Sequence, residues 1–218
     1  MPCQPSKTAL KERRRNRMRH ETRPAGTTIV AGIALCLLTS GCLPPPIWSV
    51  ITPASQPYPM TTIQITGRMP DGWMSSTYEP LGGVWHFTRH GDELERIYLR
   101  RWPKSTVVKG TKRTIRDDMS LQEIADLSLD SRRIDEGVTR LEVLSNRPTQ
   151  VDGRPCYRID YRYRDGISLP RRTVEYGCPI ATWMYRFEFD APSQHYFATH
   201  LPAFEGLVES IVFQVPGA

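Results

Sequence analysis

The sequence predicts an α+β fold in which successive antiparallel strands pack with two helices. Three observations carry that expectation. Apolar and aromatic side chains recur at every second position in two stretches, Tyr157, Ile159, Tyr161 and Tyr163, then Trp183, Tyr185, Phe187 and Phe189, which is the period of a β-strand. Asp152-Gly153 separates two strand candidates and has the type I′ preference of a tight hairpin. Ser120 and Glu123 have capping-box spacing: the hydroxyl can accept from the third helical amide while the carboxylate reaches back to the cap.

The elements follow in order. Thr61 opens the folded domain, with Ile63 and Ile65 alternating against polar neighbours, and Asp71-Gly72-Trp73 marks a turn with an aromatic to bury. Val84 to Thr88 and Leu94 to Trp102 read as two strands around a turn at His90-Gly91-Asp92, and Pro103 ends the second. Lys104 to Asp118 holds Lys104, Lys109, Lys112, Arg113 and Arg116 with little periodicity; it reads as a solvated loop, with anion or headgroup binding as its functional alternative. From Ser120 a helix runs with Leu121, Ile124, Ala125 and Leu127 or Leu129 on one stripe, and Gly137 is a late stop. Four strands are expected next, Val138 to Ser145, Arg154 to Arg164, Arg171 to Cys178 and Thr182 to Asp190. Their aromatic ranks read as core, because strand aromatics pack against neighbours across the sheet. Pro202 fits the first turn of a second helix, with Phe204, Leu207, Val208 and Ile211 on one side, before a short strand or tail from Val212 to Val215.

The N-terminal quarter has a different character. Lys11 to Arg23 carries six arginines and a lysine, and Thr27 to Ser40 then carries no charge. A bilayer-spanning helix needs about 20 apolar residues, whereas about 7 to 15 make the apolar part of a secretory signal. Leu38-Thr39-Ser40-Gly41-Cys42 resembles the lipobox of bacterial lipoproteins. The resemblance implies cleavage between Gly41 and Cys42 and a diacylglyceryl group on the Cys42 thiol; an uncleaved anchor or an ordinary signal peptide is the plainer alternative. Leu43 in place of Asp after the lipidated cysteine resembles lipoproteins destined for the periplasmic side of the outer membrane. Met18 is a second candidate start. Pro44, Pro45, Pro46, Pro53, Pro57 and Pro59 then disfavour helix and favour extended chain. The expected organisation is a signal over 1–41, a lipidated, proline-rich tether over 42–60 and a single globular domain over 61–218.

Charge excludes one class of function. The chain has 29 Lys and Arg against 23 Asp and Glu, but residues 1–41 hold eight of the bases and two of the acids, so 21 of each remain from Cys42 onward. Basic residues ahead of an apolar signal set orientation in the membrane. They are no argument for nucleic acid, whose binders need clustered basic surface.

Of the five cysteines, Cys3 and Cys36 leave with the signal and Cys42 takes the lipid, so Cys156 and Cys178 remain as a pair in an oxidising compartment. If Tyr157 and Ile159 sit beside Tyr176 and Val174 on one face, Cys156 falls opposite Gly177 and a bridge to Cys178 needs a register one residue further on. A bulge at Gly177 would reconcile the two. A disulfide between neighbouring strands is the expectation, and two buried free cysteines the alternative.

No HExxH, paired CxxC, GxSxG or glycine-rich phosphate loop is present. His86 and His90 are four apart but flank a strand and turn, where that spacing does not converge them. His195 and His200 fall near the last helix. All four read as surface or satisfied polar residues, with no third ligand indicated, and Asp92-Glu93-Glu95 and Asp135-Glu136 read as solvated turns. No catalytic residue, metal ligand or cofactor site is expected.

Asp71-Gly72-Trp73, Phe87-Thr88-Arg89-His90-Gly91 with its following strand, the capped helix, the run of strands, Leu201-Pro202-Ala203-Phe204 and Val208-Glu209-Ser210 together resemble bacterial lipoproteins of the PsbP/Mog1-like kind, over roughly Thr61 to Phe213. The resemblance implies a central antiparallel sheet flanked by helices, and a protein that binds partners or stabilises complexes in place of turning over substrate. The functional expectation is a non-catalytic envelope protein acting on another envelope component, with a periplasmic carrier of a small apolar or anionic ligand as the alternative, and a hydrolase after that.

Overall fold

In the computed structural model, which describes residues 48–51, 56–76 and 83–214, the longest strands pair in the order in which the chain makes them. The strands are β1 (Trp48–Val50), β2 (Tyr58–Met60), β3 (Ile65–Gly67), β4 (Met74–Ser76), β5 (Val84–Thr88), β6 (Arg96–Pro103), β7 (Thr139–Val151), β8 (Arg154–Arg164), β9 (Pro170–Ile180), β10 (Trp183–Pro192) and β11 (Val212–Phe213). The helices are α1 (Leu121–Arg133) and α2 (Tyr196–Glu209). One antiparallel sheet runs β1-β4-β5-β6-β10-β9-β8-β7, and a small second sheet runs β11-β3-β2.

The connection from β6 to β7 explains the layers. The chain leaves the middle of the sheet, passes through residues 104–120 and α1, and enters at the far edge; the meander β7-β8-β9-β10 then returns to pair with β6. α1 therefore covers one face. Its Ile124, Ala125, Leu127 and Leu129 pack with Tyr157, Ile159, Tyr161, Tyr163 and Met184. α2 and the small sheet cover the other, where Phe197, Phe204 and Leu207 meet Phe87, Ile97, Leu99, Tyr185, Phe187 and Phe189. Both aromatic ranks expected to be core pack into it, one on each face, with Trp183 partly buried at its margin. The arrangement is the α+β sandwich expected.

The local signals are realised with physical consistency. Ser120 Oγ accepts from Glu123 N at 3.2 Å while Ser120 N donates to Glu123 Oε2 at 2.7 Å, which closes the capping box at the start of α1. Asp152 and Gly153 both take positive φ, 48° and 68°, as the type I′ turn requires. β8 spans the predicted Arg154–Arg164. β7 is longer than expected and continues through Pro148, which the sheet tolerates because β7 is an edge strand.

Four expectations change. Pro202 lies inside α2, not in its first turn, because the helix begins at Tyr196; the apolar stripe reaches back to Phe197, and burying that ring outweighs the backbone hydrogen bond that proline cannot make. Within the segment read as tether, Trp48–Val50 pairs with β4 and Tyr58–Met60 with β3, so the proline-rich chain supplies edge strands as well as length. Glu95 is fully buried, not a solvated turn residue.

The fourth concerns register. Cys156 and Cys178 form a disulfide with Cα atoms 4.4 Å apart, as expected, but without a bulge at Gly177. β8 and β9 keep one uninterrupted register, Tyr157 opposite Gly177, Arg158 opposite Tyr176 and Ile159 opposite Glu175. Tyr157 and Tyr176 are therefore on opposite faces, and the assumption that they shared one created the conflict. Gly177 has a different reason: a Cβ there would lie 2.1 Å from Tyr157 Cζ. The tyrosine ring lies across the glycine.

Candidate functional site

Under α1 the sheet buries charge as well as aromatics. Arg100 on β6 and Arg186 on β10 are direct cross-strand neighbours, an arrangement that costs energy unless something offsets the repulsion. Trp102 does so in part: the two guanidinium carbons lie 5.4 and 5.5 Å from the centre of its ring, within cation–π range. Glu188, two residues along β10, does the rest, with Oε2 3.7 Å from Arg186 Nε and 4.0 Å from Arg100 Nη2.

A third arginine comes from the last turn of α1. Arg132 bonds Glu188 through Nη2 and donates from Nε to Tyr161 Oη at 3.0 Å. Behind it, Ser128 Oγ and Tyr157 Oη both donate to Glu175 Oε1, at 2.6 and 2.7 Å. The two buried carboxyls are pushed apart. Burial works to raise Glu188, but Arg132, Arg100 and Arg96 outweigh it and hold the carboxyl below its ordinary range. Burial and the charge of Glu188 push Glu175 up.

Above this network lies a cleft of about 300 Å³, lined by Arg100, Trp102, Arg132 and Arg186, by residues 106–109, and by Ser131 and one acid, Asp135. The Nε atoms of Arg100 and Arg186 are buried there without a hydrogen-bond partner among the described residues. Buried donors without acceptors are costly, so the cleft is poised for an acceptor. Of the loop cations singled out in the sequence, Lys109 lines the cleft; Lys104 pairs with Asp117, and Arg116 Nε with Asp118 Oδ1 at 2.9 Å. The cations that matter most come from strands and α1. Their signal was the i, i+2 spacing of Arg100 and Trp102 and of Arg186 and Glu188, charged groups at inward positions.

A second cluster lies where the β5–β6 turn meets α2. Glu95 Oε1 accepts from Arg89 N at 3.0 Å and His90 N at 2.5 Å, with His90 Nδ1 3.1 Å away, while Thr88 Oγ1 donates to Glu95 O and accepts from Gly91 N. His200 reaches the same place from α2, and ligand atoms of His90, Glu95 and His200 lie within 4.8 Å of one another. Burial pushes the His200 imidazole below its ordinary value, with Glu95 acting in the opposite sense and His90, Arg89 and His195 adding to the fall. Sequence reasoning left these residues apart, although Glu95 and His200 both fall on buried positions and only His90 is exposed among the three. Glu95 continues the inward alternation of Ile97 and Leu99, and His200 falls on the stripe of Phe197, Phe204 and Leu207. His86 goes elsewhere, to Asp92 at 2.6 Å.

Cys156 and Cys178, the remaining site pair read from sequence within the described residues, are the disulfide already placed; Cys42 lies outside the described residues.

No protein-family model and no curated protein matches the chain. Among solved structures, cyanobacterial PsbP (CyanoP) from Synechocystis aligns with a TM-score of 0.52 at 15% identity, over 72% of this chain and 91% of that one. The chain has a PsbP/Mog1-like fold. LpqN of Mycobacterium tuberculosis, described as involved in cell envelope biogenesis, aligns at 0.49 and 11% identity over 78% and 91% of the two chains, and the yeast Ran-binding protein Mog1p at 0.47 and 10% over 72% and 94%. At these identities the likeness is one of fold. In this PsbP/Mog1-like sandwich the arginine cleft belongs to the α1 face and the histidine cluster to the α2 side.

Proposed function

We propose that this protein is a lipid-anchored cell-envelope protein, attached through Cys42 on the periplasmic side of the outer membrane, whose domain works by binding and not by turnover. Its binding site is the cleft under α1, and what it takes is an anionic group, a carboxylate or phosphate carried by another envelope component. The observation that carries this reading is the Arg100–Arg186 cross-strand pair against Trp102, with both buried Nε atoms without a hydrogen-bond partner among the described residues. A planar guanidinium matches a carboxylate or phosphate in a way that a lysine does not. Exposed Val107 and Ile134 beside the cleft suit an apolar portion next to the acid. No helix among the described residues is long and apolar enough to cross a membrane.

The test is native mass spectrometry of the detergent-extracted protein for a retained acidic molecule, followed by equilibrium dialysis with octanoate and orthophosphate as probes. Because a hydrogen bond to a charged group contributes about 1.5–3 kcal/mol, Arg100→Ala should weaken binding about 10- to 100-fold. Absence of a retained acid together with no uptake of either probe at millimolar concentration would remove the cleft from consideration, as would affinity unchanged by Arg100→Ala and Arg186→Ala.

A further inference from the structure

We propose that His90, Glu95 and His200 form a binding site for a divalent transition-metal ion of the zinc class, independent of the anion cleft.

The chemistry of the donor set is the first argument. Two imidazoles and one carboxylate are the ligands that zinc takes in open, three-ligand sites, with bonds of about 2.0–2.2 Å and hence donor separations of about 3.4 Å in a tetrahedron. The three donors lie within 4.8 Å of one another. The remaining distance is small and one ligand is free to close it, since the His90 side chain is 45% exposed and sits in a turn. Glu95 and His200 are held by the fold, one at the entry to β6 and the other on the buried stripe of α2.

The second argument is an atom with nothing to do. Glu95 is fully buried and its Oε1 is already used by the Arg89 and His90 amides. Its Oε2 is buried with no hydrogen-bond partner among the described residues. If the carboxylate served only to staple the turn, an uncharged acceptor would do, and the second oxygen would not need to be buried as an anion. A buried carboxylate oxygen beside two imidazoles is instead what a cation satisfies. Among the groups that act on His200, namely Glu95, His90, Arg89 and His195, Glu95 is the acid, and it is the carboxylate donor of the three.

The sheet frame supplies support beyond the ligands. Trp73 meets the His200 ring edge-on with centres 6.1 Å apart, and Tyr196 stacks beside it at 6.4 Å with the ring planes inclined by 30°. Thr88 braces the turn through its hydroxyl. Such partners orient ligands and set affinity. Three protein donors leave positions for water or for a donor from a partner molecule, which gives the site the open form.

Zinc chloride titrated into chelator-treated, detergent-solubilised protein should bind at one equivalent. His90→Ala and Glu95→Gln should each weaken binding by at least about 10-fold, the lower end of what even outer-shell losses cause, whereas His86→Ala and Arg100→Ala should leave it unchanged. His90→Ala removes an exposed ring, and Glu95→Gln keeps an acceptor for the two turn amides, so both should fold. As a second readout, zinc should raise the melting temperature of the wild type and not of His90→Ala, because an ion that binds only the native state stabilises it. No binding up to about 100 times a micromolar dissociation constant, where linkage would contribute a readable shift, would overturn the site. So would zinc affinity indifferent to His90→Ala and Glu95→Gln. Loss of the anion cleft by its own test leaves this site standing.

Discussion

Gly177 shows how a single residue can hold a sheet face together. Its missing side chain is occupied by the Tyr157 ring, whose hydroxyl donates to buried Glu175. Gly177→Ala forces that ring out of its bond or the strands apart, and overpacking of this kind costs about 1–3 kcal/mol; urea unfolding should show the midpoint fall, with the loss reduced when Tyr157 is also replaced by Leu. Glu188 is the other residue with a readable consequence. Its folded carboxyl is held below the ordinary value of 4.5, so the stability it contributes is present above that pH and lost as pH falls through the lowered folded value. Glu175 is shifted the other way, upward, and the other carboxyls shifted downward, Asp92, Asp118 and Glu123, are common to the wild type and a Glu188 variant. Stability measured at a series of pH values below 4.5 should therefore fall less steeply in Glu188→Gln than in the wild type, although the variant starts lower at neutral pH. An equal slope in the two proteins would mean that Glu188 is not the group responsible.

At the scale of elements, the disulfide ties β8 to β9 where both lie against the core. Twenty-two residues separate Cys156 from Cys178, and closing a loop of that length in the unfolded chain contributes about 3 kcal/mol in the chain-entropy account. Cys156→Ser with Cys178→Ser should lower the denaturation midpoint accordingly, and dithiothreitol should lower that of the wild type but not of the double variant. The same pair of strands teaches why register was hard to read. Tyr157, Ile159, Val174 and Tyr176 are all strand residues with large side chains, and in a sheet buried on both faces alternation no longer distinguishes inside from outside. The cysteines were the better guide, because a covalent bridge admits one register and apolar residues admit two.

For the whole molecule, placement in the envelope is the decisive question, and it belongs to Cys42, outside the described residues. Mass spectrometry of the mature N-terminus with membrane fractionation should find an acylated peptide beginning at Cys42, and Cys42→Ala should be unprocessed or mislocalised. An unmodified terminus would make the protein a soluble secreted one, and co-sedimentation with inner membrane would move the anchor to the other bilayer. Either result leaves the cleft and the histidine cluster intact, because both are built within the compact unit spanning 45–218.

The sequence by itself determined the local elements. Ser120 with Glu123 starts α1, Asp152-Gly153 turns β7 into β8, and the aromatic ranks mark the strands, since each of these signals acts between residues a few positions apart. The cysteine pair also announced its bridge. What only the tertiary structure decided is which residues share a face and what lies opposite them. Arg100 meets Arg186 because the meander returns β10 to β6, and Glu95 meets His200 because α2 crosses the sheet to the end of a turn 105 residues earlier in the chain. Sequence spacing carries no trace of such meetings, because they are fixed by strand order and by the requirement that each helix bury its apolar stripe on the sheet face its connection reaches.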